Sequence, residues 1–242
     1  MGSDNEALDV LLRRLSSASE LSDKDRDILA GLDFDYRSFP PRARIAEMGD
    51  TPTLCFVVLD GVTSRYQLTR DGEYQIHAIQ IRGELPDLCS LHLGEMDHSI
   101  RTLSECRLAF VEHASLFDAC NRSPTINAAF WRETLIDAAI YRASNLRIGK
   151  LSAVARLAHL ICEMTLRFDA VGAVRDGRYT LDMTQQEIGD LLALSFVSVN
   201  RALRTLREEG LAGMERRTVE ILDWDRLVER GMFDPVYLHM NA

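Results

Sequence analysis

Cysteine is sparse in this sequence, and what there is lies scattered. Cys55, Cys89, Cys106, Cys120 and Cys162 are odd in number and never fall in C-x-x-C spacing. Such a set is neither a disulfide framework nor a zinc site, and buried structural thiols are the expectation. No apolar run approaches the ~20 residues of a membrane helix. The opening stretch MGSDNEALDV lacks the basic and apolar segments of a signal peptide, so a cytoplasmic chain without a membrane partner is expected. Met1-Gly2-Ser3 reads equally as a native start or a cloning remnant. Also missing are a nucleophile elbow, a phosphate-cradling glycine loop and a metal-ligand constellation. No enzyme activity is therefore expected.

Positive charge is in short supply too. Lys and Arg number 28 against 37 Asp and Glu, for a net charge of −9, which argues mildly against nucleic acid as a partner. From Thr180 to Leu222 seven acids still outnumber five arginines. Placement matters more than the sum, because binding follows the charge on the contacting face. Arg201, Arg204 and Arg207 share one predicted helix, and Arg216-Arg217 follow shortly. Asp182, Glu187 and Asp190 lie on or before the preceding helix. A moderate, strongly salt-dependent affinity is the expectation. With 242 residues, 46% apolar and 27% charged, the chain is a soluble globular protein of one large domain or two smaller ones.

The pattern along the chain changes twice. Residues from Asn5 to Leu32 carry apolar positions at helical spacing (Leu8, Leu11, Leu12, Leu15, then Ile28, Leu29, Leu32), ending near Phe39-Pro40-Pro41. From Arg44 to about Phe117 the signal is strands. Leu54–Leu59 is a continuous apolar run. Val62, Ser64, Tyr66 and Leu68 alternate with polar residues, and Asp60-Gly61 and Asp71-Gly72 mark turns. Short strands at this spacing suggest an antiparallel sandwich or barrel. After Gly83-Glu84-Leu85-Pro86 an irregular stretch is expected, then last strands over Arg101–Leu103 and Arg107–Val111. From Thr125 to about Gly149 a single long helix is predicted. Its apolar face is broad: Ile126, Ala129, Phe130, Leu135, Ile136, Ala139, Ile140, Ala143 and Leu146. Such a helix needs its own domain on one side and a partner on another, and a homodimer helix pair is the natural solution.

The most informative stretch is Met183–Leu211. Thr184 and Glu187 form a capping box, and Ile188, Leu191 and Leu192 share one helical face. Ala193-Leu194-Ser195 makes a turn, with Ser195 as the cap of a second helix. Val199, Leu203 and Leu206 line the inner side of that helix, and Gly210 follows its end. Phe196, Val197, Ser198, Asn200, Arg201 and Arg204 point outward. Arg can fork onto guanine and Asn onto adenine in a major groove. An ordinary hairpin with a solvated face is the alternative. Ala212–Leu222 then reads as strand, basic turn, strand, a wing suited to a phosphate backbone.

The motif Thr184-Gln185-Gln186-Glu187-Ile188-Gly189, with Ser195, Val199-Asn200-Arg201 and Gly210-Leu211, resembles the Crp/Fnr superfamily of bacterial transcription regulators. The Asp60-Gly61 turn and Gly83-Glu84-Leu85 carry the resemblance in the N-terminal half, and it spans about Leu8 to Leu222. It implies an α+β chain in three parts. These are a jelly-roll-like antiparallel β-roll sensor domain of cyclic-nucleotide-binding type with N-terminal helices (1–124), a dimerisation helix (125–149) and a winged helix-turn-helix (150–242). It implies double-stranded DNA, a second copy and RNA polymerase as partners. Ser195, Phe196, Val197, Ser198, Asn200, Arg201 and Arg204 would enter the groove, while Thr184, Gln185, Gln186, Arg216 and Arg217 would hold phosphates.

Departures from the family pattern refine the expectation. Cyclic-nucleotide members follow Gly-Glu with an Arg-Ser or Arg-Thr pair that grips the phosphate. Here Gly83-Glu84 is present, but His98-Ser99 stands for the later pair, and Tyr141-Arg142 stands where a Thr-Ser pair meets the base. A neutral His is a poor phosphate clamp, so gating by cAMP is not expected. Without a cysteine before Cys55, neither is an iron–sulfur cluster. The effector is not identified: cAMP and haem stay open, with His77, His92, His98 and His113 as the axial-ligand candidates. Phe196-Val197 replaces an Arg-Glu or Val-Glu pair, so a palindrome with different half-sites is expected. The rival reading is a ligand-sensing module acting through protein contacts, with a degenerate DNA-binding domain.

Overall fold

The computed structural model describes residues 6–17 and 19–240. Met1-Gly2-Ser3 and the expected helix start at Asn5 lie outside them. The chain divides into two compact units, one of Met1–Gln67, His77–Ala139 and His239–Ala242, the other of Leu68–Ile76 and Ile140–Leu238.

The first unit opens with α1 (Glu6–Ser16) and α2 (Asp23–Ala30). Ala7, Leu8, Leu11 and Leu15 bury one stripe of α1, as their helical spacing requires. Ser22 and Asp25 cap α2 reciprocally. Seven strands follow: β1 (Asp35–Phe39), β2 (Arg44–Ala46), β3 (Leu54–Asp60), β4 (Thr63–Leu68), β5 (Tyr74–Gln80), β6 (Ser99–Thr102) and β7 (Cys106–Glu112). They form two sheets, ordered β1-β7-β3 and β2-β6-β4-β5. β7 pairs antiparallel with β1 and β3, and β6 with β2 and β4.

The continuous apolar run of β3 has a direct cause. Cys55, Val57 and Leu59 pack against the helices with Leu8, Leu11 and Leu116, while Phe56 and Val58 face a second cluster with Ile100, Leu108 and Phe110. A strand buried on both faces has no reason to alternate. At the Asp60-Gly61 turn, Gly61 adopts φ +83, and a Cβ there would lie 2.1 Å from the Glu105 carbonyl. The stretch expected to be irregular after Pro86 contains one short helix, α3 (Ser90–Leu93). α4 (His113–Arg122) leads into α5 (Pro124–Lys150). Pro124 suits a first helical position. Ser123 Oγ accepts from Ile126 N at 3.2 Å and donates to Asp25 at 2.5 Å, so α5 starts on a cap tied to α2.

The 27 residues of α5 have two kinds of apolar surface. Ile126, Ala129, Phe130, Ile136 and Ala139 are buried, whereas Trp131, Leu135 and Leu146 are more than half exposed.

The second unit adds α6 (Ala153–Ala170), β8 (Arg178–Thr180), α7 (Gln185–Leu192), α8 (Phe196–Glu208), β9 (Ala212–Glu215), β10 (Thr218–Ile221) and α9 (Trp224–Gly231), then a 3-10 turn at Pro235–Leu238. The strands are ordered β8-β10-β9. Leu157, Leu160, Ile161 and Met164 of α6 are buried, as are Ile188, Leu191, Val199 and Leu206 of α7 and α8. A buried polar network runs beside this core. Glu163 accepts from Arg147 at 3.1 Å, Arg167 at 3.0 Å and the Tyr237 hydroxyl at 2.9 Å. Burial alone would raise the Glu163 pKa; Arg147, Arg167 and the hydroxyl outweigh it and hold the carboxyl below its ordinary range.

The turn between α7 and α8 is set by one close approach. Leu194 N donates to the Gly189 carbonyl at 3.0 Å, and Ala193 sits in the left-handed region at φ 52. A Cβ on Gly189 would meet the Leu194 carbonyl oxygen at 2.5 Å. Gly189→Ala is expected to destabilise the second unit by about 1–3 kcal/mol, the cost of overpacking a well-filled site. Urea unfolding followed by Trp224 fluorescence in a Trp131→Phe background checks this; a midpoint equal to that of the parent would show that the turn yields freely.

Candidate nucleic-acid interface

α8 is aimed by its inner side. Val199, Ala202 and Leu206 are fully buried and Leu203 half-buried. At 100° per residue those positions fix which side chains face out. Phe196, Val197, Asn200, Arg201 and Arg204 are all exposed, with Phe196 at 51% and Val197 at 63%. Neither apolar residue is part of the core, so both stand on the free surface of the helix. Ser195 caps α8, its Oγ accepting from Ser198 N at 3.2 Å. The Arg201 guanidinium has no ion pair or hydrogen bond among the described residues, whereas Arg204 lies 3.8 Å from Glu208 on the surface.

α7 begins on the expected capping box. Thr184 N donates to Glu187 at 2.8 Å and Glu187 N donates to Thr184 Oγ1 at 3.2 Å. Gln185 Oε1 accepts from Asn200 Nδ2 at 3.0 Å, which ties the start of α7 to the outward face of α8. Gln186 is engaged differently, donating to Asp190 at 2.8 Å. Arg156 was not singled out from the sequence. Its guanidinium donates to the Leu192 carbonyl at 3.0 Å and closes the end of α7.

The wing is a two-residue hairpin. Thr218 pairs with Glu215, and the two residues between them, Arg216 and Arg217, have φ of 46 and 72. Both arginines are exposed; Arg217 lies 3.4 Å from Asp182. The exposed cations are therefore Arg201, Arg204 and Arg207 on α8 and Arg216 and Arg217 on the wing. Two helix N-termini, at Gln185 and Phe196, add partial positive charge.

In the first unit the region around Gly83, Glu84, His98 and Ser99 is filled with its own polar contacts. Gly83 adopts φ 90, and Glu84 Oε2 accepts from Ile81 N at 3.1 Å. Arg14 bonds Glu133 of α5 at 2.8 Å and lies 4.0 Å from Glu84. Arg65 of β4 is buried, donates to the Pro86 carbonyl at 2.6 Å and is ion-paired with Asp137 of α5. His98 Nδ1 bonds Asp97 at 2.5 Å, while its Nε2 is buried without a hydrogen-bond partner among the described residues. Burial pulls the His98 pKa down, so the ring is neutral near pH 7. Ser99 Oγ accepts from Met48 N at 3.1 Å. Tyr141 and Arg142 belong to the part of α5 in the second unit.

The candidate haem ligands are each held by a protein partner: His77 by Gln67 at 3.1 Å, His113 by Ser90 at 3.2 Å, and His92 by an edge-on contact with Phe117. The sequence pattern had not flagged Arg14, Arg65, Asp87, Glu133 or Asp137. Asp87 is buried, and its Oδ1 accepts from Phe56 N at 3.1 Å.

Comparison with known proteins places both halves. Residues 36–123 match the cyclic nucleotide-binding domain family and residues 155–230 the Crp-like helix-turn-helix domain. The nitrogen fixation regulation protein FixK of Azorhizobium caulinodans is 30% identical over 156 residues, 64% of this chain and 62% of FixK. The match thus spans less than two thirds of that relative. The transcriptional activator protein FnrA of Stutzerimonas stutzeri is 26% identical over 215 residues, 89% of this chain and 88% of FnrA. The structure of FixK2 from Bradyrhizobium japonicum shares the fold, with a TM-score of 0.72 at 22% identity over 81% of this chain and 96% of that one. The chain belongs to the Crp/Fnr superfamily of transcription regulators, with an N-terminal cyclic-nucleotide-binding-type β domain, a long helix and a C-terminal helix-turn-helix.

Burial drives the Asp87 pKa up to about 7, against the opposing Phe56 N–H and the Arg65 charge. In the unfolded chain Asp87 ionises near its ordinary value. Between that value and about 7 the folded state therefore holds a proton the unfolded state has lost, and its contribution to stability falls as pH rises. Asp87→Asn removes this term. Unfolding free energies measured from pH 4 to 8 should show a shallower decline for the variant than for wild type; parallel curves would mean that Asp87 is ionised in the fold.

Proposed function

We propose that the chain is a homodimeric, sequence-specific DNA-binding regulator that reads a palindromic site without gating by cAMP and catalyses no reaction. The outward face of α8 carries this reading. Phe196, Val197, Asn200 and Arg201 are exposed on a helix whose opposite side is buried, with Asn200 donating to Gln185. Arg201 would fork onto guanine, Asn200 onto adenine, and an exposed apolar side chain would meet a thymine methyl. Arg216 and Arg217 on the wing, with Thr184, Gln185 and Gln186, would take phosphates. RNA polymerase is the expected protein partner of the DNA-bound dimer.

The dimer rests on α5. Ala128, Trp131, Leu135, Ala138, Arg142 and Asn145 recur at alternating spacings of three and four, and none of them is buried. That is the repeat of a two-helix seam. Absence of cAMP gating rests on the ion pairs around Glu84. The arginine deepest in that region, Arg65, is already joined to Asp137. A cyclic phosphate entering there would have to displace that carboxylate.

Selection from a randomised duplex pool at ~0.1 M salt, with no added ligand, tests the DNA reading; salt of that order keeps non-specific phosphate binding weak. A two-fold palindrome with half-sites ~34 Å apart is expected. Arg201→Ala should weaken the selected site by ~1–3 kcal/mol and relax one base position. Arg217→Ala should weaken all sequences alike and lower the salt slope. Recovery of no sequence, with or without cell extract, would overturn the reading. For the seam, Trp131→Glu with Leu135→Glu should reduce the mass in light scattering from twice 27.3 kDa to 27.3 kDa. A single-chain mass for wild type would remove the dimer.

A further inference from the structure

One cavity in the first unit has no part in anything described so far. It opens between α3 and the N-terminal half of α5 and holds about 390 Å³, within the range of pockets that enclose small organic molecules. Its lining is chemically specific. Phe130 and Trp131 supply aromatic surface, and leucines at 88, 91 and 93 supply the aliphatic remainder. Asn127, Thr134 and His92 are its hydrogen-bonding groups. No Asp, Glu, Lys or Arg lines it among the described residues, so a phosphate or carboxylate entering it would be desolvated without a counter-charge. Cys89 and Cys120 complete the wall. Burial raises both thiols, which leaves them protonated at neutral pH and poor at covalent capture.

The cavity is also placed beside the seam rather than on it. Asn127, Phe130 and Thr134 form one stripe of α5, and the seam stripe (Ala128, Trp131, Leu135) is displaced by one residue, about 100° around the helix. Trp131 alone belongs to both. A partner helix laid on the seam would leave the cavity open at its side, with the indole between the two.

We propose that this cavity binds a compact, uncharged aromatic molecule, held between the Phe130 and Trp131 rings and oriented by Asn127, Thr134 or His92. Its lining does not include Glu84, His98, Arg65 or Asp137, whose chemistry is ionic. Because Trp131 lies in the wall of the cavity and in the seam, occupancy would bear on how two copies meet. That consequence rests on the proposed dimer, whereas binding itself does not.

The full chain carries its own reporters. Trp131 and Trp224 are its two tryptophans, so Trp224→Phe leaves Trp131 as the sole indole. Titration with N-phenyl-1-naphthylamine, an uncharged aromatic probe, should give saturable energy transfer from Trp131 at one probe per chain. The sulfonated analogue 8-anilino-1-naphthalenesulfonate should bind at least ~10-fold more weakly, because its charge finds no partner. Cys120→Phe, which fills the cavity, should abolish the signal. Should that variant fail to fold, alkylation of the parent chain decides. Cys55, Cys106 and Cys162 are buried, and Cys89 and Cys120 are the half-exposed thiols. The probe should slow N-ethylmaleimide labelling of those two alone. Non-saturating binding, equal binding by a folded Cys120→Phe chain, or labelling unaffected by the probe would overturn the proposal. So would binding confined to dilutions at which the chain is monomeric, since a second copy would then be the occupant. None of these readouts involves DNA, so failure of the palindrome selection would leave them standing.

Discussion

Everything the second unit presents to its surroundings depends on the rotational phase of α8. Val199, Ala202 and Leu206 are driven inward by the apolar surface they remove from water, and the rest of the helix has no choice about where it points. A slip of one residue would turn the helix by about 100°. Arg201 would then take the buried direction of Ala202, and Asn200 would take its place outside. The phase is held at both ends, by the Ser195 cap and by the close approach of Leu194 to Gly189. The floor beneath is α6, stiffened by Glu163 with its two arginines and Tyr237. That network is buried, so it holds only while every partner is present.

A different logic governs the first unit. Its sheets pack as an apolar double layer, and Ile126, Ala129 and Phe130 of α5 join that core, yet two ion pairs also cross to the helix. Glu133 and Asp137 lie one turn apart on α5 and are joined to Arg14 and Arg65, which come from α1 and β4. Charge pairing of this kind adds little net stability, because each group first loses its water. What it adds is register, since a carboxylate four residues along α5 can be matched by only one arginine. The long helix is thereby positioned on the β domain by the chain's own side chains.

The helical hairpin, its cap residues, the wing and the length of α5 were legible because each rests on local spacing. Thr184 and Glu187, or Leu191 and Leu192, need only a few neighbours to declare themselves. The strands from β3 onward were legible for the same reason, and so was the β3 run buried on both faces; β1, whose residues are mostly exposed and which lies before the expected start at Arg44, was not. Arg65 was not. In β4 it occupies a position that alternation assigns to the polar side, and the buried state it adopts comes from Asp137, 72 residues away. Asp87 lies where an irregular stretch was expected after Pro86, and its buried carboxyl accepts from a backbone N–H of β3. The cavity was invisible for a related reason. Cys89, Cys120 and Trp131 lie just before α3, on α4 and on α5, and no pattern along the chain brings them together.

The wing carries a consequence for how such a chain can change over time. A two-residue hairpin with both residues in the left-handed region is the place for Asn-Gly, which adopts that shape with little strain. Here it is built from Arg216 and Arg217, whose side chains resist it. Random substitution at these two positions will often make the unit more robust, and selection for thermal endurance alone would drift toward Asn-Gly. Each such step would strip the hairpin of its charge. Two adjacent arginines held at φ 46 and 72 thus give the hairpin its charge at the expense of the fold beneath it.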